Sequence, residues 1–147
     1  MLYHVALGSA LMAMTTVVHA GCTALALSVL RQPRAASWGL RSRTSEAMLV
    51  AGVVVALFMA SLLEATIWGA TYLQLGALST FEEALYFSIV TFTTLGYGDV
   101  TLPQQWRLLS SFEAANGTIL FGWSTALVFA FVQHLYRART ASHDDAP

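Results

Sequence analysis

An all-α membrane protein is the fold class that this sequence predicts, and three observations predict it. Of the 147 residues 56% are hydrophobic and only 10% charged, where soluble domains carry roughly 25% charged residues. Three apolar stretches, residues 2–30, 47–75 and 108–136, each exceed the about 20 helical residues that cross a hydrocarbon core. Residues 76–107 are too polar to cross and too apolar for a plain loop, which predicts a short helix that enters the membrane and turns back.

The first stretch defines an N-terminal transmembrane helix over residues 1–30. His19-Ala20-Gly21-Cys22 has the outline of a lipoprotein cleavage site, but no basic segment precedes it and apolar sequence runs on to Leu30, so a retained span is expected. Cys22 is the single cysteine, which rules out an intrachain disulfide or a cysteine metal site. Gly8, Ala20, Gly21 and Ala24 predict close packing of this helix on the second span.

Arg31, Arg34, Arg41 and Arg43, with Pro33 and Gly39, mark residues 31–45 as a polar linker. Arg137 and Arg139 open a tail over residues 137–147, and Arg107 alone is basic between the second and third spans. This bias puts the linker and C-terminus in the cytoplasm and the N-terminus outside. All seven basic residues are Arg, confined to these segments, so nucleic acid is not an expected partner. Arg-for-Lys and Ala-rich usage points to a GC-rich bacterium, hence to its inner membrane. No span carries Arg at every third position, as a voltage sensor would, and no appended ligand-sensing domain is expected.

Within residues 76–107, Thr80-Phe81-Glu82-Glu83 reads as a capping box, with the threonine accepting from the Glu83 N–H and the carboxylate reaching back. The helix it opens, Phe81 to Phe92, is about 18 Å long and ends part-way into a bilayer. Non-helical backbone is tolerated there only where protein buries it or it lines a wet cavity. The residues at that depth are Thr93-Thr94-Leu95-Gly96-Tyr97-Gly98-Asp99.

That string resembles the selectivity filter of potassium channels, and the resemblance extends over roughly residues 48–135. It implies a pore domain at 46–136 with an outer helix (46–75), a pore helix (80–92), a filter (93–99) and an inner helix (107–136), assembled as a homotetramer in the lipid bilayer. It also implies passive K⁺ conduction, with Thr94, Leu95, Gly96 and Tyr97 as the metal site for permeant potassium ions, supported by Thr93, Gly98 and Asp99. No organic cofactor, enzymatic activity or small-molecule substrate is implied. The chemistry fits: a dehydrated K⁺ needs successive carbonyls aimed one way, and glycines at 96 and 98 permit backbone angles that a Cβ disfavours.

Two departures stand out. Leu95 replaces the usual β-branched residue, removing χ1 stiffness, and Val90 stands where some bacterial members have a glutamate that pairs with the filter aspartate, so Asp99 needs another partner. A non-selective cation channel is the main rival reading, which Tyr97 opposes. Gly96-Tyr97-Gly98-Asp99 also fits the short motif of intramembrane aspartyl proteases, but these need two carboxylates in one site, and the other aspartates, Asp144 and Asp145, lie in the tail.

Glu64 and Glu113 are acids within spans. They are expected to face protein and to bond behind the filter, to Thr91 or Thr93, with snorkelling to the outer interface as the alternative for Glu64. His4, His19 and His134 read as structural histidines. Trp68 and Trp106 outside, with Trp38 and Tyr136 inside, read as interfacial anchors. On the inner helix, Gly117 and Gly122 have the spacing of simple bacterial potassium channels, where the first is a proposed hinge. Thr118, Gly122, Thr125, Phe129 and Val132 form a cavity stripe, with Phe129 as gate.

Overall fold

The computed structural model describes residues 1–30 and 43–144, with the backbone path alone for residues 29, 30, 43 and 138–144. Most of the arginine linker, with Trp38, lies outside the described residues. Helices α1 (Leu2–Leu30), α2 (Arg43–Gln74), α3 (Phe81–Phe92) and α4 (Arg107–Asp144) follow in order, with a 3₁₀ turn at Gln104–Trp106 leading into α4. Helices α1, α2 and α4 are long and apolar enough to cross a membrane, so the all-α membrane architecture is as expected.

Two boundaries differ from the sequence reading. Helix α2 begins at Arg43, inside the expected linker, because Arg43-Thr44-Ser45-Glu46 continues into the apolar run without a breaker. Helix α4 passes through the expected tail boundary at 137 to Asp144, since Arg and Ala there favour helix and no Gly or Pro intervenes. At 38 residues it is about 57 Å long and outruns the hydrocarbon layer.

The turn between α2 and α3 explains how the chain re-enters. Gly76 has φ 63°, its N–H bonds the Leu73 carbonyl at 3.0 Å, and the Ala77 N–H bonds the Tyr72 carbonyl at 2.9 Å, the paired bonds of a Schellman cap. Thr80 then caps α3, its hydroxyl accepting from the Glu83 N–H at 3.2 Å. The Glu83 carboxylate reaches back one residue further than a standard capping box, to the Ser79 N–H at 3.3 Å.

Contacts fix the helix directions. Along α3, Ala84 meets Gly69 and Ser88 meets Ala65, so α3 runs antiparallel to α2. Ser88 meets Glu113 and Phe92 meets Gly117, so α3 and α4 descend together. On α1, Gly8 lies against the Phe112 ring, Thr15 bonds Asn116 and His19 bonds Ser124, which makes α1 parallel to α4. The His4 ring sits 5.2 Å from that of Trp106, placing the start of α1 at the same end as the loop that follows α3. The main core lies where α2, α3 and α4 meet, around Trp68, Tyr72, Phe87, Phe92, Leu109 and Leu120. A smaller cluster of Val53, Leu57 and Phe131 joins α2 and α4 toward the other end.

Candidate functional site

The segment expected to carry the chemistry hangs from the C-terminal end of α3. Thr93 closes the helix: its N–H bonds the Ile89 carbonyl at 3.0 Å and its hydroxyl donates to the same oxygen at 2.7 Å. The N–H groups of Leu95 and Gly96 both donate to the Val90 carbonyl, at 2.9 and 3.2 Å. Carbonyls that α3 leaves open at its end thus tie down the base of the following segment.

Beyond that tether the backbone alternates. Thr94, Gly96 and Gly98 have φ of 58°, 56° and 78°, with Leu95 and Tyr97 between them on the ordinary side. In an extended strand successive carbonyls point opposite ways; alternating the hand of successive residues turns them to one side. The glycines at 96 and 98 stand where this conformation needs them. Thr94 adopts it with a Cβ, at a cost of roughly 1–2 kcal/mol, which makes it the strained residue of the segment.

In the single chain residues 93–99 are all exposed, Leu95 to 54% and Tyr97 to 69%. Leu95 and Tyr97 are thus a bulky leucine and tyrosine that their own chain leaves uncovered. Asp99 is exposed too, and its partner is the Tyr86 hydroxyl, which donates at 2.7 Å. This bond holds the Asp99 carboxyl below its ordinary range and raises the Tyr86 phenol. Tyr86 therefore links α3 to the segment, the task that Val90 cannot perform. Between them and the start of α4 lies a cavity of about 390 Å³, lined by Tyr86, Val90, Thr94, Gly98, Asp99 and Ser111 among others.

The two acids within spans are fully buried, each with partners that the sequence reading did not name. Glu113 takes a 2.7 Å hydrogen bond from the Tyr72 hydroxyl and bonds the Ser88 hydroxyl. Ser88 also lies 2.5 Å from the Ala65 carbonyl. Glu64 bonds His19 Nδ1 at 2.9 Å, so it does not snorkel to an interface. Thr93 is committed to the Ile89 carbonyl, and neither it nor Thr91 reaches a glutamate. Thr93 is rotated off the face of α3, formed by Ala84, Ser88 and Phe92, that packs against α2 and α4, while at the level of Glu113 that face presents Ser88, about a turn before Thr91.

Helix α1 is held by a polar seam. Its buried stripe is Gly8, Leu11, Thr15, His19 and Thr23, spaced three or four apart as one helix face requires. Asn116 Nδ2 donates to Thr15 at 2.6 Å, and His19 Nε2 is 3.3 Å from the Ser124 hydroxyl. His19 is structural, as expected. Gly8 packs on α4 rather than on the second span, while Gly21 has nothing within 4 Å; Gly21 and Ala24 lie off the buried stripe. Trp68 is also corrected. It is fully buried against Tyr72, ring centroids 6.3 Å apart, because α3 folds back over this part of α2.

On α4 the expected cavity stripe is open: Thr118, Gly122, Thr125 and Phe129 are exposed and Val132 is half-buried. Phe129 is 63% exposed and borders an apolar groove of about 540 Å³ with Val54, Leu57 and Phe58 of α2. Gly117 is buried where α4 touches the end of α3, and a Cβ there would overlap the Phe92 carbonyl oxygen. The helix runs through it unbroken. Sequence reasoning missed Tyr86, Ser88, Tyr72, Thr15, Ser124 and Asn116. Of these Asn116, an amide inside a span, carried a readable signal.

No curated protein and no solved structure matches the chain significantly. The sequence model of a family described as "Ion channel" matches residues 46–134, more than half of the chain. That span contains most of α2, all of α3 and the exposed segment, and most of α4, two membrane-crossing helices around a re-entrant loop. The chain therefore belongs to the two-transmembrane, pore-loop ion channel family, with α1 as an additional apolar helix in front of the matched region.

Proposed function

We propose that the protein is a potassium-selective channel subunit that conducts K⁺ passively through a homotetrameric pore. The observation that carries this reading is the Thr93–Asp99 string with its alternating backbone at Thr94, Gly96 and Gly98. Backbone carbonyls of Thr94, Leu95, Gly96 and Tyr97, with the Thr94 hydroxyl at the inner end, replace the hydration shell of the ion. One chain has one such loop, and a ring of carbonyls requires four. The exposure of Leu95 and Tyr97 supports a partner surface here. In the assembly Thr93 and Gly98 support the filter, and Asp99, braced by Tyr86, stands at its outer mouth. The arginine bias orients the filter outward and α4 toward the cytoplasm, in a bacterial inner membrane. Purified protein in liposomes should show a reversal potential that follows the K⁺ gradient. Equal Na⁺ and K⁺ permeability would replace this reading with a non-selective cation channel.

The gate in this proposal is the ring of four Phe129 side chains, which closes the pore by dewetting. Gly117 is the pivot, and its contact with Phe92 means that a bend there is felt at the base of the filter. Phe129→Ala should raise resting conductance and leave the K⁺ over Na⁺ preference unchanged. If open probability stays the same while Leu95→Val alters it strongly, the gate lies in the filter.

A further inference from the structure

We infer that Glu113 is a positioning residue for ion conduction and that it works as a neutral carboxylic acid, a hydrogen-bond clamp on α3 rather than a charge that attracts cations. The inference rests on residues 93–99 being the conducting filter, and its core argument is a count of hydrogens.

The Ser88 hydroxyl has one proton to give. It lies 2.5 Å from the Ala65 carbonyl oxygen, which can only accept, and it is also in short contact with Glu113 Oε1. One proton cannot serve both contacts. The Tyr72 hydroxyl already donates to Glu113 Oε2 at 2.7 Å. If Glu113 is ionised, Ser88 Oγ and either Glu113 Oε1 or the Ala65 oxygen are pressed together with no hydrogen between them, inside a fully buried site. If Oε1 carries a proton, the set closes. Tyr72 donates to Oε2, Oε1–H donates to Ser88, and Ser88 donates to the Ala65 carbonyl. Both hydrogen-bond partners of Glu113 are hydroxyls, so no cation is needed to accompany it into the membrane.

This chain crosses three helices at one level. Ser88 is the middle residue of the α3 face that packs on α2 and α4, and Val90, two residues on, supplies the carbonyl that holds the N–H groups of Leu95 and Gly96. Glu113 therefore fixes the depth and rotation of α3, and through Val90 the base of the filter.

A carboxamide has the same donor and acceptor as the neutral acid. Glu113→Gln should therefore keep both K⁺ over Na⁺ selectivity and unitary conductance. Glu113→Ala should lower selectivity by about tenfold, the scale of one unmet buried hydrogen bond. If Glu113→Ala does not assemble, Ser88→Ala reads the same link. Infrared spectra at neutral pH should show a protonated carboxyl C=O band that Glu113→Gln removes. That arm needs no conduction, so it fails separately from the filter assignment. Loss of conductance in Glu113→Gln as large as in Glu113→Ala, or the absence of that band, overturns the proposal.

Discussion

The two sides of α3 are finished to very different degrees. Behind it, toward α2 and α4, the contacts come from the chain itself: Gly69 admits the Ala84 carbonyl, Ser88 is held by Ala65 and Glu113, and Gly117 admits the Phe92 carbonyl. In front, residues 93–99 stand exposed with a leucine and a tyrosine unpacked. At the rear, beside the large residues of the core, the closest crossings use small residues and hydroxyls, because close backbone approach and internal hydrogen bonds hold helices together where no hydrophobic effect operates between them. Under the proposed function, the carbonyls in front serve the ion and the side chains meet neighbouring copies, so a single chain specifies where the filter hangs and leaves its enclosure to other copies.

The largest effect is expected from breaking the rear. Gly117→Ala places a methyl group on the Phe92 carbonyl, and overpacking of this kind costs about 1–3 kcal/mol or more. The variant should lose thermal stability in detergent as well as conduction. A variant that keeps its melting temperature and only opens less often would show Gly117 to be a hinge alone.

Gly96→Ala attacks the front. At φ 56° a Cβ costs roughly 1–2 kcal/mol, yet the site is open, so helix content should stay unchanged while selective flux is lost. Loss of helix content would mean that front and rear are not separable.

The seam to α1 offers a smaller effect. His19→Ala leaves the buried Glu64 carboxyl without its partner, and a double-mutant cycle with Glu64→Gln should give a coupling of about 1 kcal/mol, the scale of interhelical bonds in membranes. Additive effects would show that the pair does not hold α1.

The smallest effect belongs to Tyr86→Phe. Because the Tyr86 bond lowers the Asp99 pKa, its contribution is present at neutral pH and is lost as pH falls through a value below the ordinary 3.8. Removing the hydroxyl should move the Asp99 titration upward, followed by carboxyl NMR. An unmoved titration would leave the outer mouth without this brace.

What could be read from sequence divides along the same line. Span positions, the α3 cap and the glycine-dependent backbone of residues 93–99 were legible because each is local: an apolar run, a Thr-x-x-Glu pattern, seven consecutive residues. The partners of Glu64 and Glu113 were not. His19 lies 45 residues before Glu64 and Tyr72 lies 41 before Glu113, and their meeting depends on how α1, α2 and α4 rotate about one another. Trp68 was misread for the same reason, since an aromatic near a span end looks alike whether lipid headgroups or a returning helix cover it. Gly117 was legible as a glycine but not as a contact.

The buried polar pairs also have an order in time. Each acid or amide emerges from the ribosome after the group that satisfies it: Glu64 follows His19, Glu113 follows both Tyr72 and Ser88, and Asn116 follows Thr15. A carboxyl arriving alone in hydrocarbon faces a penalty of several kcal/mol, whereas one arriving beside a waiting hydroxyl or imidazole can be matched during insertion. The spacing along the chain lets the membrane accept each span against those already made, so that synthesis from the N-terminus is itself an assembly sequence.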